Sequence, residues 1–174
     1  MAAIKTYNFN EKNNATKKTE LLIKKWYKDN DWLVLDVSNM KGYQAKDIDL
    51  IAYKDGNVDS QVLIEVKSDT YESSNYFAET ISNTTTLGCW LKTKADLLMY
   101  YFEKTKEVHV IPVKEAQRYV IENYDKLKTV KVGTRANSGR LLYYTEGKLI
   151  NKKQLQKAIN IEIYNLSYYS IDNI

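Results

Sequence analysis

Cysteine and histidine are almost missing from this chain: Cys89 and His109 stand alone among 174 residues. A structural zinc site needs about four Cys or His ligands, which excludes zinc fingers. A single thiol excludes disulfide frameworks and Cys-X-X-Cys redox motifs. Catalysis through a histidine pair or a histidine-metal cluster goes with them, and only a Ser-His or Cys-His arrangement using His109 stays formally open. Six glycines and one proline argue against a loop-rich or repeat architecture. No segment approaches the roughly 18 consecutive apolar residues of a membrane helix, and residues 1–24 hold no apolar stretch of signal-peptide length. The expected location is the cytoplasm, with no membrane partner.

What is present is an ordinary balance of apolar and charged residues: 44% hydrophobic, 28% charged, and 26 Lys+Arg against 22 Asp+Glu for a net charge of +4. This composition suffices for the core of a single domain over residues 1–174. The small basic excess permits a nucleic-acid partner without requiring one. With thiols and imidazoles so scarce, carboxylates and lysines are left to carry any chemistry.

Leu22, Ile23, Trp26 and Tyr27 recur at helical spacing with lysines between them, predicting a helix over Asn13–Asp29. Trp32–Val37 has the length and apolarity of a strand. Asp49–Tyr53 and Gln61–Val66 are strand-like runs joined through Lys54-Asp55-Gly56-Asn57, whose Asp-Gly pair signals a hairpin and so an antiparallel pair. Ser68–Gly88 is polar, with a strand-like piece at Asn75–Ile81. Thr93-Lys-Ala-Asp96 resembles a capping box and predicts a helix to about Glu103, with Ala95, Leu98, Met99 and Phe102 on its apolar face. Val108–Val113 reads as a strand and Lys114–Tyr124 as a helix. Beyond Lys126 come a basic loop (Lys126, Lys128, Lys131, Arg135, Arg140), short strands near Leu141 and Leu149, and a helix at Lys152–Ile159. The expectation is an α/β core over about residues 13–113, ordered helix-strand-strand-strand-helix-strand around a mixed central sheet. A basic α+β extension follows over about residues 114–174.

Asp47-Ile48-Asp49 opens the second strand of this core and Ile64-Glu65-Val66-Lys67 closes the third. Side chains alternate along a strand, so Glu65 and Lys67 share a face while Val66 packs on the other. The hairpin brings Asp49 alongside. Two carboxylates and a main-chain carbonyl, that of Val66, suit Mg²⁺, which takes hard oxygen ligands and keeps several waters. Such an ion lowers the pKa of a bound water and offsets charge on a phosphate under attack, while Lys67 positions the water or neutralises developing charge. The acid-X-lysine spacing recurs at Glu146-Gly147-Lys148, which reads as a surface turn, so strand context separates the two. The alternative for the first is a cross-strand salt bridge among Glu65, Lys67 and Asp47 or Asp49.

With these residues in this order, the sequence resembles the PD-(D/E)XK nuclease superfamily over about residues 13–113. The resemblance implies a restriction-endonuclease-like core in which Asp49 and Glu65 bind Mg²⁺, with Mn²⁺ substituting, Lys67 assists the water, and Glu20 on the first helix completes the site. Ile48 stands where the family name has Pro, leaving Asp47 as rival or helper to Asp49. Glu20 flanks the Ile23 and Tyr27 edge of the apolar stripe, and a solvated helix glutamate is its alternative. Asn75-Tyr-Phe-Ala-Glu79, Gly88 and Thr93-Lys-Ala-Asp96 also resemble small phage and prophage members, which implies a bacterial or phage-infected host cell.

Other residues have plainer readings. Glu79 reads as a surface strand acid with a place near the metal as its alternative, Asp96 as a helix cap, His109 as a strand residue and Cys89 as a buried hydrophobe. Lys128, Lys131, Arg135 and Arg140, with Tyr143 and Tyr144, follow a phosphate backbone or form a solvated basic face. The expected function is a Mg²⁺-dependent DNA endonuclease acting through two carboxylates and a lysine. The alternatives are a nuclease-fold protein that binds nucleic acid or a protein partner without cutting, and a homodimer of the Holliday-junction resolvase kind.

Overall fold

A computed structural model describes residues 5–71 and 73–169, and the side chains of all of these except residues 5 and 7–13. The first four residues of the stretch read for a signal peptide, and the last five of the basic extension, lie outside that description. Along the chain run β1 (Lys5–Asn8), α1 (Phe9–Lys28), β2 (Trp32–Asp36), α2 (Lys41–Gln44), β3 (Leu50–Lys54), β4 (Val62–Asp69), β5 (Asn75–Ser82), β6 (Thr86–Leu87) and α3 (Cys89–Lys92). They are followed by β7 (Leu97–Phe102), β8 (Glu107–Pro112), α4 (Val113–Glu122), β9 (Lys128–Arg135), β10 (Leu141–Asn151), α5 (Lys152–Ala158) and β11 (Glu162–Asn165). The described residues divide into two compact units, one built from 16–71, 93–114 and 160–169, the other from 5–15, 73–92 and 115–159. We call the first the carboxylate unit and the second the ribbon unit.

The carboxylate unit carries a six-stranded sheet in the order β11-β8-β7-β4-β3-β2. The sheet is mixed, because β4 and β7 run parallel while the other neighbours are antiparallel. The apolar stripe of α1 buries Leu22, Ile23 and Tyr27 in a core with Val34, Leu50, Ala52, Ile64, Val66, Met99, Val108 and Val110, as helical spacing requires. The hairpin from β3 to β4 turns at Asp55 and Gly56, with φ of 52° and 68°, and the turn is closed by the Asn57 N–H on the Lys54 carbonyl at 2.9 Å. Positive φ at both central residues is the hairpin geometry that Asp-Gly favours. A 3-10 turn at Val58–Ser60 then carries the chain on to β4, with the Ser60 hydroxyl accepting from the Lys54 N–H at 2.7 Å, and the resulting register pairs Leu50 with Ile64 and Ala52 with Val62.

The helix expected over Thr93–Glu103 is a strand. Leu-Leu-Met-Tyr-Tyr-Phe, residues 97–102, lies between β4 and β8, and every side chain from Leu98 to Phe102 is buried. A strand covered on both faces needs a continuous apolar run, and such a run also fits a helical stripe. Thr93 caps no helix; its hydroxyl donates to the Asp47 carbonyl at 2.7 Å and accepts from the Ala95 N–H at 3.1 Å. Asp96 likewise caps nothing: its carboxylate accepts from the Leu63 N–H at 2.9 Å and extends the ladder between β4 and β7. The helix-strand-strand-strand-helix-strand order is therefore not reproduced. Between β4 and β7 the chain forms β5, β6 and the four-residue α3. The mixed α/β class stands.

The ribbon unit carries a five-stranded sheet in the order β1-β9-β10-β5-β6. The short strands expected near Leu141 and Leu149 are one strand, the 11-residue β10. Glu146-Gly147-Lys148 lies inside it rather than on a surface turn. Gly147 is needed there because a Cβ would come within 2.5 Å of the Phe77 ring. The expected C-terminal helix is α5, whose first turn is capped by Asn151 Oδ1 accepting from the Gln154 N–H at 3.3 Å. Residues from Asn160 onward return to the carboxylate unit, where β11 pairs with β8.

Candidate active site

Asp49 stands one residue before β3 and is locked to β4 by two bonds. Its N–H donates to the Ile64 carbonyl at 2.8 Å, and its Oδ2 accepts from the Val66 N–H at 2.8 Å. These bonds, to the residues on either side of Glu65, hold the Asp49 carboxyl beside it. Strand alternation puts Glu65 and Lys67 on the same face, and Lys67 Nζ lies 2.8 Å from Glu65 Oε1. Val66, between them, is buried in the opposite core. Glu65 itself is only 3% exposed, which is costly for a carboxylate without a positive partner.

The electrostatics follow from that burial. Desolvation pushes the Glu65 carboxyl up to about 8, the negative charges of Asp49 and Asp47 add to the rise, and Lys67 opposes it. Burial also raises Asp49, against the Val66 N–H, the Lys67 ammonium and the bond from Glu65. Glu20 on α1 is pushed up to about 7, first by burial and then by Asp49 and Asp36, with Lys67 and Lys17 opposing. Glu20, Asp49, Glu65 and Lys67 thus occupy one electrostatic neighbourhood within the carboxylate unit.

Two further acids belong to it. Asp36, which ends β2, was not singled out in the sequence. Its Oδ1 accepts from the Ser38 N–H at 3.2 Å and the Ser38 hydroxyl at 2.8 Å, its Oδ2 lies 3.9 Å from Lys24 Nζ, and its charge raises Glu20. The signal was available, because an aspartate ends the apolar run Trp-Leu-Val-Leu as Asp49 opens the next. Asp47, the rival or helper, holds a left-handed backbone with φ of 48°, a conformation aspartate tolerates better than most residues. Its charge raises both Asp49 and Glu65.

The donor set fits a small divalent cation. Two desolvated carboxyls are raised where one lysine supplies the positive charge, and a divalent ion would supply more and reverse both upward shifts. Among the described residues no group of three or more His, Cys, Asp or Glu is arranged to hold a metal ion. The fit is therefore to an ion held by one or two carboxylates and its own waters, the habit of Mg²⁺.

The remaining sequence-derived residues lie elsewhere. Glu79 is in β5 and Cys89 begins α3, buried, both in the ribbon unit. His109 is a buried residue of β8, edge-on to Phe102 at 4.9 Å between ring centres. Lys128, Lys131, Arg135 and Arg140 are all exposed on β9 and the hairpin that follows. Lys131 is bonded to Glu146 at 2.7 Å, and Arg135 donates to the Gly139 carbonyl at 2.7 Å, bracing the hairpin tip. No helix among the described residues is long and apolar enough to cross a membrane.

No protein-family model matches the chain, and no curated protein sequence matches it. Among solved structures it is similar to a bacterial homing endonuclease, with 16% identity and a TM-score of 0.46 over 62% of this chain and 72% of that one.

Proposed function

We propose that this chain is a Mg²⁺-dependent nuclease of the PD-(D/E)XK type that hydrolyses DNA phosphodiester bonds. The observation that carries the reading is the Asp49 carboxylate fixed on the Val66 N–H at 2.8 Å, next to a buried Glu65 that holds Lys67 at 2.8 Å. A structural strand would more cheaply bury neutral residues at these positions.

Asp49 and Glu65, with the Val66 carbonyl, would hold the ion, which when bound supplies charge that acidifies a water and offsets that of the phosphate. Lys67 directs its ammonium to the same point, where it orients the attacking water and neutralises negative charge that grows on the phosphate oxygens. Glu20, pushed up to about 7, exchanges a proton near neutral pH and so suits proton transfer. The exposed cations Lys128, Lys131, Arg135 and Arg140 would follow the phosphate backbone of the DNA. The chain departs from the superfamily order where β5, β6 and α3 stand in place of a full helix before the fourth core strand.

The test is to incubate the purified protein with linear, single-stranded, branched and methylated DNA in Mg²⁺ or Mn²⁺, beside Glu65→Ala and Lys67→Ala. Cleavage by the wild type that ceases on chelation, and falls by about 100-fold or more in each variant, is the expected result. Equal cleavage by all three proteins contradicts the site. DNA binding without cleavage under every condition would favour the non-cutting alternative.

A further inference from the structure

The C-terminal end of α1, the start of β2 and the strand β11 border a cleft of about 340 Å³ within the carboxylate unit. Its walls are aromatic: Trp26 and Tyr27 from α1, Trp32 from β2 and Tyr164 from β11. Aliphatic side chains of β4, β7 and β8 complete the lining. Val62, one of these, opens β4 five residues before Lys67, about 17 Å along the strand. Alternation also turns it to the face opposite Lys67, so the cleft is separate from the carboxyl site.

Neighbouring rings cross steeply. Trp26 meets Tyr27 edge-on at 70° and Tyr27 meets Trp32 at 77°, with ring centres 4.9 and 5.4 Å apart. Tyr164 leans on Trp26 at 48° with 4.9 Å between centres. These pairs form corners rather than parallel slots, which suits a rounded guest better than a flat one.

The charge of the lining is one-sided. Among the described residues that border the cleft, Glu162 alone is charged, in a chain with 26 Lys+Arg and a net charge of +4. The Tyr164 hydroxyl donates to the Glu162 carboxylate, fixing the anion beside the rings. Burial pushes the Tyr27 hydroxyl up, and Tyr164 and Glu162 add to the rise, as negative surroundings do. Aromatic faces are negative as well. A phosphate is disfavoured in such a place and a cation is favoured. A primary ammonium would bring three N–H donors and a strong water shell, which a mostly apolar lining does not replace. An alkylated ammonium keeps the charge, has no N–H to satisfy and presents methyl groups to the rings. The volume lies at the small end of ligand sites, about 300–1,000 Å³, so the guest is a small molecule.

We propose that this cleft binds a small quaternary ammonium compound between the rings of Trp26, Trp32 and Tyr164, with the Glu162 carboxylate as its counter-charge. The proposal does not depend on the nuclease reading.

Trp26 and Trp32 are two of the three tryptophans in the chain, so indole fluorescence reports on the cleft. The test is to titrate the purified chain with choline at constant ionic strength, and in parallel with the neutral alcohol in which carbon replaces the choline nitrogen. Glu162→Gln and Trp26→Leu are titrated alongside, each checked for folding by thermal melting. The expected result is a saturable change with choline and an affinity for the neutral alcohol lower by about tenfold. Glu162→Gln should weaken choline about fivefold and leave the alcohol unaffected, and Trp26→Leu should weaken choline about tenfold. Glu162 is exposed on β11, so its substitution decides the matter even where Trp26→Leu melts early. Absence of a saturable change overturns the proposal. Equal affinity for choline and the alcohol does so too, as does a Glu162→Gln protein that binds choline as the wild type does.

Discussion

Two acid-X-lysine triplets, one in each unit, show how little the spacing decides. In β4, Glu65 is buried at 3% exposure and Lys67 is bonded directly to it at 2.8 Å. In β10, Glu146 turns instead to Lys131 on the neighbouring strand at 2.7 Å, and it is the lysine that is buried. Lys148 Nζ donates to Thr129 Oγ1 at 2.9 Å and the Leu127 carbonyl at 3.4 Å, and lies 3.9 Å from the centre of the Tyr124 ring. Both triplets alternate identically along a strand. The neighbours differ: β4 meets Asp49 from across the hairpin, so its glutamate joins a second carboxyl, whereas β10 meets a lysine and a threonine from β9. One triplet gathers negative charge in a dry place, and the other encloses a positive charge among neutral oxygens and a ring.

The sharpest separation is expected in catalysis. Glu65→Gln keeps the shape and removes the charge, and should lower kcat about 100-fold or more, while Glu146→Gln, assayed in parallel, leaves kcat unchanged. Similar losses in both would mean that the two triplets serve one function. In stability the order reverses. Lys148→Met leaves the Thr129 hydroxyl and the Leu127 carbonyl without their donor and should cost about 1–3 kcal/mol in urea unfolding, with or without Mg²⁺. A neutral result there would show that the buried ammonium contributes only its stem.

A smaller effect distinguishes the two by pH. Glu65 is raised from an ordinary 4.5 to about 8 in the fold, so the folded state binds the extra proton between those values. The stability associated with Glu65 is fully present below about 4.5 and is lost as pH rises through about 8. Melting temperature in chelator should therefore decline across that window, Mg²⁺ should flatten the decline, and Glu65→Gln should remove Glu65's share of it. A profile that stays flat in chelator would contradict the raised carboxyl of the buried Glu65.

Much of the site was legible because its determinants are local. The Leu22, Ile23, Tyr27 stripe marks α1 and the Asp55-Gly56 pair marks the reversal between β3 and β4, and the antiparallel pairing of those strands brings Asp49 to Glu65. Glu20 was reached only through resemblance, since a glutamate beside an apolar stripe reads equally well as solvated. Asp36 went unread for the same reason, a lone acid ending a strand. The strand β7 was illegible as a strand because a run apolar at every position satisfies the helical period as well as burial on both faces. The glycine in Glu146-Gly147-Lys148 suggested a turn, but its reason is long-range, the ring of Phe77 packed over it. The division into units also lay beyond local pattern. Residues 73–92 leave the carboxylate unit between β4 and β7, and the polar composition of Ser68–Gly88 reads equally well as a loop within one unit.

The central proposal is that the Asp49–Glu65 pair, whose carboxyls burial raises, binds a divalent cation. Calorimetric titration with Mn²⁺ at pH 7, in two buffers of different ionisation enthalpy, measures both the binding and the proton released. The account predicts a saturable site whose occupation expels a proton in the wild type and which is lost in Asp49→Asn and Glu65→Gln. Absence of Mn²⁺ uptake, or uptake that survives both substitutions, would contradict it.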